Sequence, residues 1–274
     1  MQPSSLTHPL DRATTLARNE DGSMTGQTDA AYANMVGPFG GITAAVIMKA
    51  LLVHPERLGE PVSLTINYAA PIADGEYRIH AVPVRTNRST QHWSITLSQG
   101  KELTTTATAV FALRRDTWTT TEILAPDVPA AVAVPSSRLA NTDRAWFDNY
   151  EMRFVRGHLL DQSKPEDERD SVTVLWVRDN PPRPLDLVSL TSICDSFAPR
   201  IIVRRPKWVP FGTVSITIYF QAGNAQLEAQ GDRPVLGIAR ASHFGRGYHD
   251  QTAEVWSDSG TLLATSHQVV YFKE

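Results

Sequence analysis

The chain is poor in cysteine and has no long apolar run. Cys194 is the single cysteine among 274 residues, which excludes an intrachain disulfide and any metal site built from several thiolates. No apolar stretch approaches the roughly 20 residues that a membrane-spanning helix requires. No basic start followed by an apolar segment indicates a secretory signal. From these absences we expect a cytoplasmic protein that has no membrane partner.

An excess of positive charge is also absent. The 26 Lys and Arg residues against 29 Asp and Glu residues leave a formal net charge of −3. This balance provides no general electrostatic reason to bind nucleic acid. His243 and His249 lack a partner at metal-ligand spacing, and no phosphate loop or dinucleotide fingerprint occurs. We therefore expect no nucleic-acid partner and no metal or redox cofactor.

What the chain does contain is a repeated pattern. Residues 62–68 read VSLTINY and residues 214–220 read VSITIYF. Both are alternating, β-branched runs, which are typical of half-buried strands. Each follows an apolar segment with helical spacing, at 40–53 in the first case and at 185–201 in the second. The sequence therefore predicts one helix-then-sheet unit that occurs twice.

Further strand-like runs follow each predicted helix and complete two antiparallel meanders. Between the halves, residues 116–145 are rich in Pro, Ala and Ser without helical or strand period, which is typical of a linker. We expect an N-terminal domain at 1–115, this linker at 116–145, and a C-terminal domain at 146–274. Residues 1–13 are polar and contain two prolines, so they predict a loose start.

Several motifs, in their order along the chain, resemble the acyl-CoA thioesterase II family. The stretches GGITAAVIMKALL, PVSLTINYAAPIADGE and VRTNRSTQHWSITLSQGKELTTTATAVF resemble its first half. ICDSFAP, GTVSITIYF and GTLLATSHQVVYF resemble its second half. The resemblance covers most of residues 14–273 and implies an α+β double hotdog fold, in which two antiparallel sheets each wrap a helix. It also implies that copies associate through their sheets, so we expect a homo-oligomer.

The same resemblance implies a catalytic set. In that family a carboxylate on the second-half helix acts with a threonine and a glutamine to hold the water that attacks the thioester. The matching residues here are Asp195, Thr213 and Gln268. A carboxylate can deprotonate water, while a hydroxyl and an amide fix its position. The implied substrate is a small-molecule acyl thioester of any chain length, with coenzyme A as part of the substrate and not as a separate cofactor.

An internal comparison of the halves indicates where the active site lies. Pairing VSLTINY with VSITIYF places Pro61 where Thr213 lies, and pairing TTTATAVF with ATSHQVVY places Thr108 where Gln268 lies. Because the candidate residues differ between the halves, we expect one active site per chain, in the second half. Strand alternation places Thr213 on the same side as Ser215, unless a β-bulge intervenes.

The sequence GPFGG at 37–41 directly precedes the first predicted helix. Backbone N–H groups at a helix N-terminus stabilise negative charge, and glycines let a substrate carbonyl approach the backbone. Gly40 and Gly41 are therefore candidates for oxyanion or substrate binding. The alternative is a tight turn before a helix.

A basic cluster follows the second predicted helix. It contains Arg200, Arg204, Arg205 and Lys207. Arginine geometry suits phosphate, so Arg204, Arg205 and Lys207 are candidates for binding the phosphates of coenzyme A. Solvated loop charge is the alternative explanation.

Departures from the family pattern leave other functions open. The family usually has an Asp-His pair two residues past the threonine, where this chain has Ser215 and Ile216, and Gln221 replaces a usual histidine. A non-catalytic protein that binds acyl or other apolar ligands therefore stays open. A hotdog hydratase or dehydratase would need an Asp/His pair near a helix start. Cys194 lies on an apolar helical stripe, which favours core packing over a nucleophilic role.

Overall fold

The secondary structure consists of one large antiparallel sheet and a few helices. The computed structural model describes residues 7–137, 144–158, 165 and 170–274. The helices are α1 Pro9–Ala13, α2 Gly40–Leu52, α3 Leu187–Ile193, α4 Arg200–Arg204 and α5 Asn224–Gln230. The strands are β1 Ala17–Arg18, β2 Met24–Gln27, β3 Glu60–Tyr68, β4 Glu76–Thr86, β5 Thr90–Gln99, β6 Glu102–Ala112, β7 Tyr150–Arg156, β8 Thr173–Asp179, β9 Phe211–Phe220, β10 Val235–Arg240, β11 Phe244–Gly245, β12 Tyr248–Trp256 and β13 Leu262–Phe272. The predicted α+β class is confirmed.

The strand order shows the duplication directly. Within the described residues the sheet has 13 strands in the order β1-β2-β4-β5-β6-β3-β9-β13-β12-β10-β8-β7, and β11 pairs with β12. From the outer edge to the centre, the first half reads β1-β2-β4-β5-β6-β3 and the second half reads β7-β8-β10-β12-β13-β9. Strands in the same place in these two orders correspond, so the halves have the same connectivity. The halves meet where β3 pairs antiparallel with β9, from Ser63↔Tyr219 to Asn67↔Ser215. What the sequence predicted as two sheets is therefore joined edge to edge into one.

Helices α2 and α3 pack together over the sheet. Ten of the 13 residues of α2 are buried, which is the pattern of a core helix. All seven residues of α3 are buried, and the Asp186 side chain caps its start by accepting the Ser189 N–H. The helices contact each other closely, because a Cβ on Gly41 would lie 2.6 Å from the Ser192 carbonyl oxygen. None of the described helices combines the length and apolar character needed to cross a bilayer.

A β-bulge in β9 changes which side chains face the helices. The pairing of β13 with β9 moves from Val269↔Ser215 to Val270↔Thr213, so Val214 is an extra residue. Such an insertion interrupts the alternation of side chains along a strand. Thr213 therefore faces the same side as the buried Val270, and not the side of Ser215. A β-bulge was the one exception to the predicted side for Thr213, and it is present here.

The first half contains the same irregularity at the matching position. The pairing of β3 with β6 moves from Ser63↔Val110 to Pro61↔Phe111, and Val62 is the extra residue. Val62 and Val214 occupy equivalent positions in the repeated motif. The bulge is therefore a property of the repeated unit and is not confined to the half with the candidate catalytic residues.

The strand registers correct one predicted correspondence between the halves. Gln268 pairs with Ile216, and Leu64, the counterpart of Ile216 in the repeat, pairs with Ala109. Ala109 therefore matches Gln268, and the predicted match with Thr108 is wrong by one residue. The bulges are not the cause, because both halves contain one at the same position. The two segments are similar in composition, so a motif alignment does not fix their register, which depends on strand pairing. The difference between the halves remains, since alanine has no amide.

Three segments differ from or extend the predictions. Residues 9–13 form α1 where a loose start was expected, because Leu10 is fully buried and gives this short helix an anchor in the core. Helix α5 was not predicted. The C-terminal part of the described linker packs on the sheet, where the Trp176 indole donates to the Pro129 carbonyl at 2.9 Å. Residues 138–143 of the linker lie outside the described residues, and the domain boundaries stay a prediction.

The helix contact at Gly41 leads to a stability prediction. In Gly41→Ala the new Cβ meets the Phe39 ring and the Ser192 carbonyl, so we expect overpacking to lower the free energy of unfolding by about 2 kcal/mol. Gly245→Ala is the control, because its Cβ meets only the flexible end of His243; we expect a change below about 0.5 kcal/mol. Denaturant unfolding measures both. Equal stabilities of the two variants would contradict the close helix contact.

Candidate active site

A cavity of about 350 Å³ opens near the middle of the sheet. It lies between the N-terminus of α2, the turn after α3, and the first residues of β9. Asp195, Thr213 and Gln268, which the resemblance implied to be catalytic, all line it together with Gly40. Both halves of the chain supply walls, and much of the lining is aromatic or aliphatic: Phe39, Trp146, Phe147, Phe197, Ile202 and Phe211.

The sequence indicated that Asp195 lies on the second helix. In the structure it lies in the turn that follows α3. The helix ends at Ile193, and the Asp195 N–H donates to the Ser192 carbonyl at 3.1 Å. This turn aims the carboxylate at the N-terminus of α2. A Cβ on Gly40 would lie 2.6 Å from Asp195 Oδ2. Glycine at position 40 therefore allows the carboxylate to lie here, and a larger residue would require the carboxylate or the helix to move.

The surroundings of Asp195 make its carboxylate a stronger base than usual. Burial raises the pKa of Asp195 to about 7, and the Gln268 side chain and the Gly41 N–H counteract part of this rise by favouring the charged form. The residue is 7% exposed. A carboxyl group with a pKa near 7 exchanges protons readily at neutral pH, as a general base must.

The bulge in β9 brings Thr213 into contact with Gln268. The Thr213 hydroxyl donates to Gln268 Oε1 at 3.4 Å, which is the long end of the hydrogen-bond range. Gln268 Nε2 is buried and has no hydrogen-bond partner of good geometry among the described residues, yet the Gln268 side chain lowers the pKa of Asp195. We infer that the amide lies near the carboxylate at a separation longer than a well-formed hydrogen bond.

Gly40 and Gly41, the two glycines at the start of α2, differ in their environment. Gly40 lines the cavity, whereas Gly41 does not. The Gly41 N–H instead donates to the Asp195 carboxylate, and the Tyr68 hydroxyl donates to the Gly40 carbonyl at 2.9 Å. No side chain caps the start of α2. The first N–H groups of a helix lack the usual partner four residues earlier, so Gly40 is the glycine whose position suits a ligand.

The predicted phosphate cluster is outside the cavity. Arg204, Arg205 and Lys207 do not line it, and Arg205 forms an ion pair with Glu274. Arg200, which the sequence placed in the same cluster, is fully buried. Its assignment to a solvent-facing basic cluster is wrong, because α4 begins at Arg200 and its guanidinium is enclosed by protein acceptors.

Arg144 and Gln251 line the cavity and had no predicted role. Arg144 lies at the cavity wall with its guanidinium 4.2 Å from the Trp208 ring centre. Gln251 on β12 lies directly opposite Gln268 on β13. A signal for Gln251 was present, since it shares strand phase with the apolar residues Ala253 and Val255. Nothing in the local sequence indicates that Arg144 reaches the cavity.

Cys194 and the histidines take no part in this cavity. Cys194 is fully buried, and burial together with the charge of Asp195 raises the pKa of its thiol, which favours packing over nucleophilic chemistry. His249 is buried, and burial lowers the pKa of its imidazole. Among the described residues, no group of three or more His, Cys, Asp or Glu side chains is arranged to hold a metal ion.

Comparison with known families identifies the chain. A family model of the acyl-CoA thioesterase N-terminal domain matches residues 30–112, and one of the acyl-CoA thioesterase C-terminal domain matches residues 125–272. The chain belongs to the acyl-CoA thioesterase family. The two matches divide this family member into the same halves as the strand order. No curated protein matches the chain.

Solved structures share the fold of this acyl-CoA thioesterase family member. A conserved protein of unknown function with a hot dog fold from Alicyclobacillus acidocaldarius is 48% identical, with a TM-score of 0.93 over 98% of this chain and 99% of that chain. A putative thioesterase II from Thermobifida fusca is 17% identical, with a TM-score of 0.81 over 97% of each chain. An acyl-CoA thioesterase II from Mycobacterium marinum is 16% identical, with a TM-score of 0.77 over 96% and 98%. The last two likenesses show the fold alone.

The raised pKa of Asp195 leads to a stability prediction. In the unfolded chain the carboxyl ionises near its ordinary value of 3.8, and in the folded chain near 7. Stability is therefore lost as the pH rises between these values, since the unfolded state releases the proton first. We expect Asp195→Asn to raise the free energy of unfolding at pH 8 by up to about 4 kcal/mol, with little difference at pH 3.5. Denaturant titrations at both pH values measure this, and a pH-independent difference would contradict it.

Proposed function

We propose that this protein is a double hotdog hydrolase that cleaves acyl-CoA thioesters with water activated by Asp195. The observation that carries the proposal is that Asp195, Thr213 and Gln268 line one cavity. The burial of Asp195, whose pKa lies near 7, supports its assignment as the general base. No metal or redox cofactor takes part in the proposed reaction, and coenzyme A enters only as part of the substrate.

The proposed reaction begins with a water molecule held between Asp195 and Gln268. Gln268 Nε2 donates to the water oxygen. The Thr213 hydroxyl donates to Gln268 Oε1 and so fixes the orientation of the amide. Asp195 takes a proton from the water while the water oxygen attacks the thioester carbonyl carbon. The carbon–sulfur bond then breaks, and the coenzyme A sulfur takes the proton from Asp195. The products are a carboxylic acid and the free thiol.

Negative charge develops on the thioester oxygen during the attack. We assign its stabilisation to the Gly40 N–H at the start of α2, where the helix dipole also favours negative charge. Gly41 serves the same step indirectly, because its N–H holds the Asp195 carboxylate. The predicted oxyanion pair is thus divided into one donor for the substrate and one donor for the base.

The cavity favours hydrolysis over the two other candidate functions. No histidine lines it within the described ranges, so a hydratase would lack its Asp/His pair. Ser215 and Ile216, which replace the usual Asp-His pair of the family, are not among its lining residues either. That replacement therefore removes no group from the cavity wall, which weakens the main argument for a non-catalytic binding protein. Association into a homo-oligomer and a cytoplasmic location stay predictions.

Hydrolysis is tested by offering acyl-CoAs of several chain lengths and measuring free thiol. We expect Asp195→Asn to lower kcat/KM by about 10²- to 10⁴-fold, since the general base is lost. Cys194→Ala is the matched neighbour and should keep activity. For the unaltered protein, kcat/KM should rise with pH through about 7, as the carboxyl loses its proton.

The same experiment separates the rival functions. Tight acyl-CoA binding without thiol release by the unaltered protein would favour the non-catalytic binding protein. A hydrated product from an enoyl-CoA would favour the hydratase. Loss of activity in Cys194→Ala with activity retained in Asp195→Asn would show that Cys194, and not Asp195, is the catalytic residue.

The basic cluster is proposed to contact coenzyme A phosphates beyond the cavity. Lys207 is exposed, so its ammonium is free to approach a ligand that extends from the mouth. We expect the double variant Arg204→Gln, Lys207→Gln to raise KM for an acyl-CoA several-fold, because phosphate attraction is lost. The matched acyl-pantetheine has no nucleotide phosphates, so its KM should not change. Equal changes for both substrates would remove the phosphate role.

A further inference from the structure

Gln251 extends the polar row that crosses the cavity wall. The strands β9, β13 and β12 are neighbours, and they contribute Thr213, Gln268 and Gln251 in that order. Adjacent strands lie about 4.8 Å apart, and directly paired residues point to the same face. Exposure falls along the row, because Thr213 is partly exposed while Gln268 is 4% and Gln251 is 1% exposed. Gln251 is therefore the least exposed member of the row and lies one strand further from β9 than Gln268.

The orientation of the Gln251 amide is set by its neighbour. Arg200 Nε donates to Gln251 Oε1 at 3.0 Å. A guanidinium only donates hydrogen bonds, so the oxygen must be the end that faces Arg200. The Nε2 group is consequently turned away from Arg200. It is buried and has no hydrogen-bond partner among the described residues, although Gln251 lines the cavity.

Arg200 gives this region a positive character. It is fully buried and donates to Thr173 Oγ1 at 2.8 Å and to the Ser171 carbonyl at 3.1 Å. Within the described part of the chain, no carboxylate forms an ion pair with it. Burial lowers the pKa of Arg200 to about 9, so it stays charged at neutral pH. A positive charge behind the amide favours an electron-rich acceptor in front of it.

We propose that Gln251 is a specificity residue whose Nε2 donates a hydrogen bond to an oxygen on the acyl group of the substrate. The preferred substrates are then short acyl thioesters that carry a hydroxyl, oxo or carboxylate oxygen near the thioester. This substrate class rests on the proposed hydrolase function. A site with a buried donor discriminates strongly against an analogue without the acceptor, because the donor is left unpaired.

The test compares kcat/KM for butanoyl-CoA with that for 3-hydroxybutanoyl-CoA, 3-oxobutanoyl-CoA and succinyl-CoA. We expect at least one oxygen-bearing substrate to exceed butanoyl-CoA by about tenfold or more. The three arms distinguish a hydroxyl, an oxo and a carboxylate acceptor. Gln251→Leu removes the donor, so this preference should fall to within about threefold of unity.

Two further variants separate the amide from its support. Gln251→Glu keeps an oxygen for Arg200 but replaces the Nε2 donor by an acceptor, so it should lose the preference for oxygen-bearing substrates. It replaces Gln251→Leu as the test if that variant does not fold. Thr173→Val removes one bond of Arg200, and Thr173 does not line the cavity. This control should keep the preference of the unaltered protein.

The preference for oxygen-bearing acyl-CoAs over butanoyl-CoA decides whether Gln251 has the proposed role. Its absence in the unaltered protein, its persistence in both Gln251 variants, or an equal loss in Thr173→Val would each overturn the role of Gln251 while leaving hydrolysis intact. If no thioester is cleaved, the proposed function fails, and calorimetric binding of the same four compounds to the protein decides instead. Tighter binding of an oxygen-bearing compound that both Gln251 variants abolish would still support the site, and equal binding of all four would overturn it.

Discussion

The contact between the Asp195 carboxylate and the glycine start of α2 is the constraint on which the site depends. A Cβ at Gly40 would lie 2.6 Å from the carboxylate oxygen, and one at Gly41 would lie 2.6 Å from the Ser192 carbonyl. The two helices therefore approach as closely as their backbones allow. This approach buries the carboxylate, and burial raises its pKa to about 7. Helix packing and the base strength of Asp195 thus have one common cause.

The two halves share a scaffold and differ in their side chains. Both central strands contain a bulge at the same position of the repeat, at Val62 and at Val214. In the second half the bulge turns Thr213 toward the buried face, next to Gln268. The first half has Pro61 and Ala109 at the matching positions, and neither side chain has a polar group. A symmetrical backbone therefore carries an asymmetrical site.

The polar groups of the cavity are built into an otherwise apolar core. Asp195 and Arg200 are both buried, and burial moves the pKa of each toward its neutral form. Their surroundings differ in kind, because Asp195 is stabilised by the Gly41 N–H and by the nearby Gln268 amide, while Arg200 donates to carbonyls, Thr173 and Gln251. Gln251 and Gln268 therefore form the side of the cavity between a buried base and a buried cation.

The amino-acid sequence alone was enough to predict the two helix-then-sheet units, the α+β class, and, through the family resemblance, Asp195, Thr213 and Gln268 as a set of candidate residues. The units and the class rest on periodicity, which is a short-range property of the chain. The residue set rests on motifs that resemble those of the family. Sequence alternation left Thr213 on the wrong side and matched Gln268 one residue away from its true counterpart, Ala109. Strand register depends on pairing between distant segments, which no local pattern records.

The folded chain was needed to show that Arg200 is buried, that Arg144 reaches the cavity, and that Gln251 lies beside Gln268. Each of these depends on which elements pack together, since an arginine at the start of a short helix is exposed or enclosed according to its neighbours. The strength of Asp195 as a base was decided in the same way. A carboxylate acquires its pKa from burial and from its partners, and both are properties of the folded chain and not of its local sequence.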